Sequence, residues 1–276
     1  YIPPVGIGEV MRAGGVGVVV ASDSPAFEIG SHVAGGLGVQ AYCHIPAEQL
    51  RKSGLSRIDL RLGTLTQWLN VLGMPGMTAY FGLLQVGHPQ PGQTVVVSGA
   101  AGAVGQTVGQ LARIKGCRVV GIAGGQDKCK YAVDELHFDA CIDYKEHSDG
   151  KSMGKALKEA CPKGIDGYFE NVGGWIMDAV MLRMNAFGRI ALCGMIAGYN
   201  GAPVPITQPQ LLLVNRITLR GFIVSEHMEV WPEALTELGT LVATGKLRPR
   251  ESVAEGIAAA PEAFLGLLKG KDFGKQ

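Results

Sequence analysis

The sequence predicts an α/β protein built on a doubly wound, mostly parallel sheet, with a smaller β-rich segment ahead of it. Three observations predict this. From Thr94 onward, six apolar runs alternate with helical patterns, the rhythm of parallel strands joined by crossover helices. The first run ends in a glycine-rich turn, GAAGAVG (99–105), that opens a helix. Residues 1–62 have another texture, short β segments broken by Gly, Asp and Ser clusters.

Taken in order, GVGVVVASDS, GSHVAGG and AYCHIPAEQL are the β pieces of the opening, with a strand at Val18–Val20. Residues 67–87 read as two helices joined at Gly73–Gly76, with Pro75 at the first position of the second. The strand TVVVSG then leads to a helix over 103–115, CRVVGI to one over 127–137, and DACID to one over 151–160. GYFENV leads to a helix over 175–184, RIALCG to one over 208–215, and ITLRGFIV to one over 230–244. The expected divisions are 1–72, 73–248 and 249–276, with the middle part forming the α/β domain and the last returning to the first.

The bulk numbers exclude several classes. Lys and Arg total 25 against 24 Asp and Glu, a formal charge of +1, which leaves no electrostatic footprint for nucleic acid or an anionic membrane. No apolar run reaches the about 18 residues of a spanning helix, and no secretory signal is visible. The six cysteines (43, 117, 129, 141, 161 and 193) form no C-x-x-C pair. They read as small buried hydrophobes in a reducing cytoplasm, and no spacing suits a zinc site. The sequence begins at Tyr1 without methionine and ends on GKDFGKQ, which is read as a chain trimmed at its ends.

The glycine turn carries the first functional reading. Gly99, Gly102 and Gly105 follow the buried run Val95–Val97, and Val104, Val108 and Leu111 give the next helix an apolar stripe. Glycines in such a turn permit a sharp bend, admit a pyrophosphate to backbone N–H groups and let helix pack close to strand. The helix N-terminus then faces the anion. The spacing is G-x-x-G-x-x-G rather than the dinucleotide fingerprint G-x-G-x-x-G, so a ligand-free βα turn stays open. At the end of the second strand, GIAGGQDK places Gly124 and Gly125 where an NAD site carries a carboxylate. Lys128 follows and supplies positive charge, which favours NADP(H); its other reading is a solvated lysine of the first turn. Asp127 reads as the helix N-cap. Tyr144, Asn171, Cys193–Met195 and Tyr199 follow the apolar runs of predicted strands and Phe222–Val224 closes the sixth, all at the carboxyl ends where an open sheet binds ligands. The turn GMPGMT (73–78) either sets Thr78 beside the site or acts as a hinge, and Met74 and Met77 read as packing residues.

LGMPGMTAYFGL (72–83), GAAGAVG, KGCRVVGIAGG (115–125), YFENVGG (168–174), GRIALCGMIAGYN (188–200) and LLKGKDFGK (267–275) together resemble the zinc-independent medium-chain dehydrogenase/reductases. The likeness is to the branch of prostaglandin/leukotriene reductases, NADPH-dependent curcumin reductases and plant double-bond reductases. It implies NADPH-dependent reduction of the C=C bond of an α,β-unsaturated ketone or aldehyde. It also implies a Rossmann domain beside a partial GroES-like catalytic domain, and a homodimer. It implies that Gly102, Ala103, Val104 and Gly105 hold the diphosphate, and that Lys128 and Tyr144 hold the 2′-phosphate end. It implies that Asn171, Cys193, Gly194, Met195, Ile196, Ala197, Gly198, Tyr199, Phe222, Ile223 and Val224 line the rest. Tyr199 and Tyr1 match tyrosines on the substrate side. Tyr199 would donate to the carbonyl oxygen as negative charge builds there; its other reading is a cap on a glycine-rich loop, and that of Tyr1 a frayed terminus. The family has a segment before YIPP and a strand after the final GK, and it often has Asn where this sequence has Asp272. A quinone reductase of the same superfamily and an NADP-binding protein without turnover are the alternatives.

Overall fold

The computed structural model describes residues 3–199 and 201–276. Two sheets organise them. The first is antiparallel and small: β1 (Gly15–Val18), β2 (His32–Gly35) and β3 (Ser56–Arg57), in that order. The expected strand at Val18–Val20 thus starts earlier and ends at Val18. Val19 is tied instead to the turn Ser31–Gly30, its N–H donating to Ser31 O and its carbonyl accepting from Gly30 N.

The second sheet has six parallel strands: β4 (Thr94–Ser98), β5 (Arg118–Ala123), β6 (Ala140–Asp143), β7 (Ile165–Glu170), β8 (Met184–Leu192) and β9 (Thr218–Gly221). Their spatial order is β6-β5-β4-β7-β8-β9. The chain therefore winds outward from β4 in one direction, then returns to its other side at β7. The crevice between β4 and β7, where the order reverses, is the place an open sheet of this kind offers to a ligand.

Alternation along the strands splits the core into two faces. Val95, Val97 and Phe169 pack on one, with α2 (Met74–Tyr80), α3 (Ala103–Ile114), α4 (Gln126–Asp134) and α8 (Trp231–Ala243). Val96, Val120, Tyr168 and Ile190 pack on the other, with α5 (Gly150–Ala160) and α6 (Gly174–Met181). The remaining helices are α1 (Leu65–Trp68), held by a Thr64–Gln67 capping box, α7 (Gln210–Val214) and α9 (Ala260–Leu268). No helix is long and apolar enough to cross a membrane among the described residues.

Several boundaries differ from expectation. Helix α6 stops at Met181 rather than 184, because the chain must join the sheet sooner: Ile165 N–H bonds Arg183 O and Met184 pairs with Ile165. Helix α7 is shorter than 208–215, and β9 ends at Gly221 rather than 224. Pro75 is the second residue of α2, since Gly73 is its N-cap. Helix α2 continues into a π-helical segment, Phe81–Gly87, and α9 follows a stretch with no clear helical signal in the sequence. Met77 is buried as expected, but Met74 is half-exposed and packs little.

Candidate cofactor and substrate site

The site is assembled at the carboxyl ends of the six strands. After β4 the chain turns at Gly99 (φ 61°), a left-handed conformation that glycine adopts freely. Gly102 caps α3, and a Cβ at Gly105 would lie 2.2 Å from Gly99 O. The helix therefore rests directly on the turn, with its first amides unpaired within the helix and aimed outward. Its length of 12 residues gives it a full dipole at that end. Gly102, Ala103, Val104 and Gly105 form this N-terminus.

After β5, Gly125 (φ 107°) caps α4, so Asp127 lies in the first turn and is not the N-cap. Gly125 N–H donates to Asp143 Oδ1 at 2.8 Å, and Lys145 N–H reaches the same oxygen at 3.0 Å. One carboxylate at the end of β6 thus joins two turns. Tyr144 lies against Gly124 so closely that a Cβ there would be 2.8 Å from its ring. Lys128 is on the same side; its Nζ donates to Gly270 O at 2.8 Å and stands 5.4 Å from the Phe273 ring centroid. Partial burial pulls its ammonium below the usual lysine range, while Asp272 pushes it back up and Lys145 lowers it further. Tyr144 and the first turn of α4, which carries Lys128, thus both border the Gly124–Gly125 turn.

Sequence reasoning missed Lys145, the Asp143 tie and the closing role of the C-terminal segment. Gly274 N–H donates to Ala101 O at 2.8 Å, so residues 270–275 lie across the glycine turn. The signal for Lys145 was present, a second basic residue directly after Tyr144. The docking of the tail had no local signal. Asp272 faces both Lys128 and Lys275 electrostatically.

After β7, Asn171 abuts the first turn, its Cβ 3.6 Å from where a Cβ of Gly99 would stand. Asn171 N–H donates to Ser98 Oγ at 2.9 Å and its Nδ2 to Ser98 O at 2.7 Å. After β8, Cys193 and Gly194 donate their N–H groups to Glu170 O, Ile196 to Asn171 O, and Ala197 to Val172 O. These bonds lay the segment Cys193, Gly194, Met195, Ile196, Ala197, Gly198 along the Asn171 turn. Burial and the Glu170 charge push the Cys193 thiol up to about 12, so it stays protonated and unreactive at neutral pH. Tyr199 is 61% exposed, yet its Oη lies 3.2 Å from the position of a Gly194 Cβ. Its hydroxyl therefore hangs over the turn rather than pointing away. Tyr1 lies outside the described residues.

Beyond β9, Phe222 packs edge-on against Phe169, with centroids 6.2 Å apart, and Val224 is buried. Ile223 is partly exposed beside them. Thr78 gives its hydroxyl to Met74 O at 2.7 Å, inside its own helix. Among the described residues, no three His, Cys, Asp or Glu side chains converge as a metal ion needs.

This arrangement fits a phosphorylated dinucleotide. The glycine turn and free helix N-terminus suit a diphosphate; the Gly124–Gly125 turn carries no side chain where an NAD site has its carboxylate, Asp143 is engaged by backbone N–H groups, and Lys128 and Lys145 lie nearby as cations for a third phosphate.

Residues 103–240 match the zinc-binding dehydrogenase family, and residues 1–53 the N-terminal domain of oxidoreductase. An NADPH-dependent curcumin reductase of Escherichia coli is 44% identical over 283 residues, which span 100% of this chain and 79% of the relative. The chain belongs to the zinc-independent medium-chain dehydrogenase/reductases. Another member, an NADP(+)-dependent 2-alkenal reductase of Nicotiana tabacum, is 40% identical over 277 residues, 100% of this chain and 79% of its own. The medium-chain reductase fold is matched at a TM-score of 0.89 by CurA of Vibrio vulnificus, solved in complex with NADPH. That protein is 43% identical, with 100% of this chain and 81% of that one covered.

Proposed function

We propose that this chain is an NADPH-dependent reductase that adds hydride to the C=C bond of α,β-unsaturated ketones and aldehydes. The observation that carries the reading is the meeting of two features at one end of one sheet. A dinucleotide cradle ends in a lysine-bearing corner, and a tyrosine hydroxyl overhangs the turn at its other end. Relatives named for curcumin and 2-alkenal reduction support the same chemistry.

In this reading, Gly102–Gly105 and the α3 N-terminus bind the diphosphate, and Lys128 with Tyr144 binds the 2′-phosphate. Asn171, Cys193–Tyr199 and Phe222–Val224 line the nicotinamide half. Bound NADPH supplies the hydride. Tyr199 donates its O–H to the substrate carbonyl and stabilises the negative charge that grows on that oxygen. The buried Phe169 and Phe81 pack against the partly buried Phe222 and fix it as an apolar wall of the nicotinamide half. The α-carbon takes its proton from solvent. Tyr1 is a second candidate donor.

The division into 1–72, 73–248 and 249–276 belongs to the same reading: a β-rich part, a cofactor-binding part and a returning tail. We infer a homodimer as well. Strand β9 is one of the two edge strands of the large sheet, and Leu213 and Val214 just before it are 80% and 59% exposed. The six cysteines are all free thiols, as suits a reducing cytoplasm.

The decisive experiment follows oxidation of NADPH and of NADH in the presence of enones, 2-alkenals and quinones. Turnover of enones or alkenals with NADPH preferred is the expected result. Turnover of quinones alone, or binding of NADPH with no turnover of any of them, would overturn the reading.

A further inference from the structure

Beneath the crevice lies a carboxylate that the reading above does not use. Glu170 ends β7 and is 0% exposed. None of the ion pairs among the described residues includes it. Burying an unpaired charge is unfavourable unless hydrogen bonds compensate. Here three donors converge on it. Ser98 Oγ donates to Oε1 at 2.7 Å, Tyr168 Oη to Oε2 at 2.7 Å, and Val172 N–H to Oε1 at 2.5 Å. A carboxylate accepts all three at once, whereas an amide would turn an NH2 group toward at least one of them.

The network has a direction. With its proton given to Glu170, Ser98 Oγ is free to accept from Asn171 N–H, and Ser98 O holds the Asn171 side chain. The same few atoms therefore fix the last residue before the glycine turn and the first residue of the Asn171 turn. Those two turns flank the point where the strand order reverses. The charge is also felt at the surface of the site, since it helps hold the Cys193 thiol protonated.

We propose that Glu170 is a positioning residue with a second, electrostatic role: a fixed negative charge behind the nicotinamide half that favours the oxidised cofactor over the reduced one. The oxidised nicotinamide ring carries a positive charge that the reduced ring lacks, so a preorganised anion lowers the energy of the state reached when hydride leaves. This inference rests on the cofactor reading given above.

The test is a set of equilibrium titrations of NADP+, NADPH and 2′,5′-ADP, the last lacking the nicotinamide half, on wild type, Glu170→Gln and Tyr168→Phe. In Glu170→Gln the affinity for 2′,5′-ADP stays within about twofold, because Lys128 and Tyr144 are untouched. The affinity for NADP+ falls at least about threefold more than that for NADPH. Equal losses for both, or no loss for either, overturn the proposal. Tyr168→Phe keeps the charge and removes one donor, so the NADP+ to NADPH preference stays within about twofold of wild type. A fall of threefold or more there shows that the hydroxyl network, not the charge, sets the preference, and overturns the proposal even if Glu170→Gln does not fold. A wild-type protein that binds none of the three ligands refutes the cofactor reading itself, a result distinguishable from failure of this one.

Discussion

Lys128 illustrates what one residue contributes. A lysine in the first turn of a helix opposes the helix dipole, and here its ammonium is partly buried against Phe273 and Gly270. That placement makes sense if an anion arrives. Lys128→Ala is expected to weaken NADPH binding about tenfold, the worth of one charge-assisted contact, and to leave NADH binding nearly unchanged. Isothermal titration with each cofactor checks this; equal losses would remove Lys128 from the 2′-phosphate corner. Tyr199→Phe deletes a single donor above the Gly194 turn. It is expected to lower kcat by about a hundredfold, as loss of an oxyanion donor does, while the Kd for NADPH moves little. An unchanged kcat would retire the role. The positions of Lys128, Tyr144 and Tyr199 beyond strand ends were legible in the sequence, while the roles proposed for Tyr144 and Tyr199 came from the family resemblance. Glu170 was not singled out, because the sequence does not show that Ser98, Tyr168 and Val172 all turn toward it.

Elements constrain the site through contacts that no local pattern announces. The π-helical segment passes its glycine between two rings: a Cβ at Gly82 would stand 2.4 Å from Phe222 and 2.6 Å from Phe169. Gly82→Ala is therefore expected to cost about 1–3 kcal/mol, the range for overpacking, and to loosen the wall formed by Phe222. Thermal denaturation and the KM for an enone would register the two effects. The loop bearing Tyr199 is held at both ends. It starts on the Asn171 and Val172 carbonyls and finishes where Asp178 of α6 accepts from Thr207 N–H at 3.0 Å and Thr207 Oγ1 at 2.6 Å. Thr207→Val removes the hydroxyl bond, while Thr207→Ser keeps both. A drop in kcat with Thr207→Val, recovered in Thr207→Ser and with unchanged NADPH affinity, is the outcome expected if that clamp sets the position of Tyr199. The strands and helices from Thr94 onward were readable because burial on both faces leaves continuous apolar runs. The late start assigned to β8 and the overlong β9 were errors of boundary, set by sheet pairing rather than by composition.

For the whole molecule, the helices on one face are tied together by a polar contact whose sign can be worked out. Tyr80 of α2 donates to Glu237 of α8 at 3.0 Å, and Lys115, which follows α3, reaches Glu237 at 2.9 Å. Burial pushes the Glu237 carboxyl up, but the Lys115 and Tyr80 bonds together outweigh it and hold the group below its ordinary 4.5. A depressed acid stabilises the fold above 4.5 and loses that contribution as pH falls through its lowered value. Lys115→Met should cost about 0.5 kcal/mol at neutral pH, since the pair is partly exposed to solvent. Denaturant titrations across the acid range should show the difference between mutant and wild type vanish at the low end. The inferred homodimer has its own test: if it forms across the exposed β9 edge, Leu213→Asp shifts it toward monomer in sedimentation, whereas a monomeric wild type or an unaltered dimer would overturn that inference.

The amino-acid sequence by itself determined the doubly wound sheet and the glycine turn with its helix. These depend on periodicity and on residues adjacent in the chain, so they are written locally. Only the tertiary structure decided that residues 270–275 lie across the turn begun at Gly99, that Glu170 is enclosed by Ser98 and Tyr168, and that Asp178 captures Thr207. Each of these joins segments whose separation in sequence carries no periodic signal, and the enclosure of Glu170 by Ser98 depends on the reversal of strand order that brings β7 beside β4.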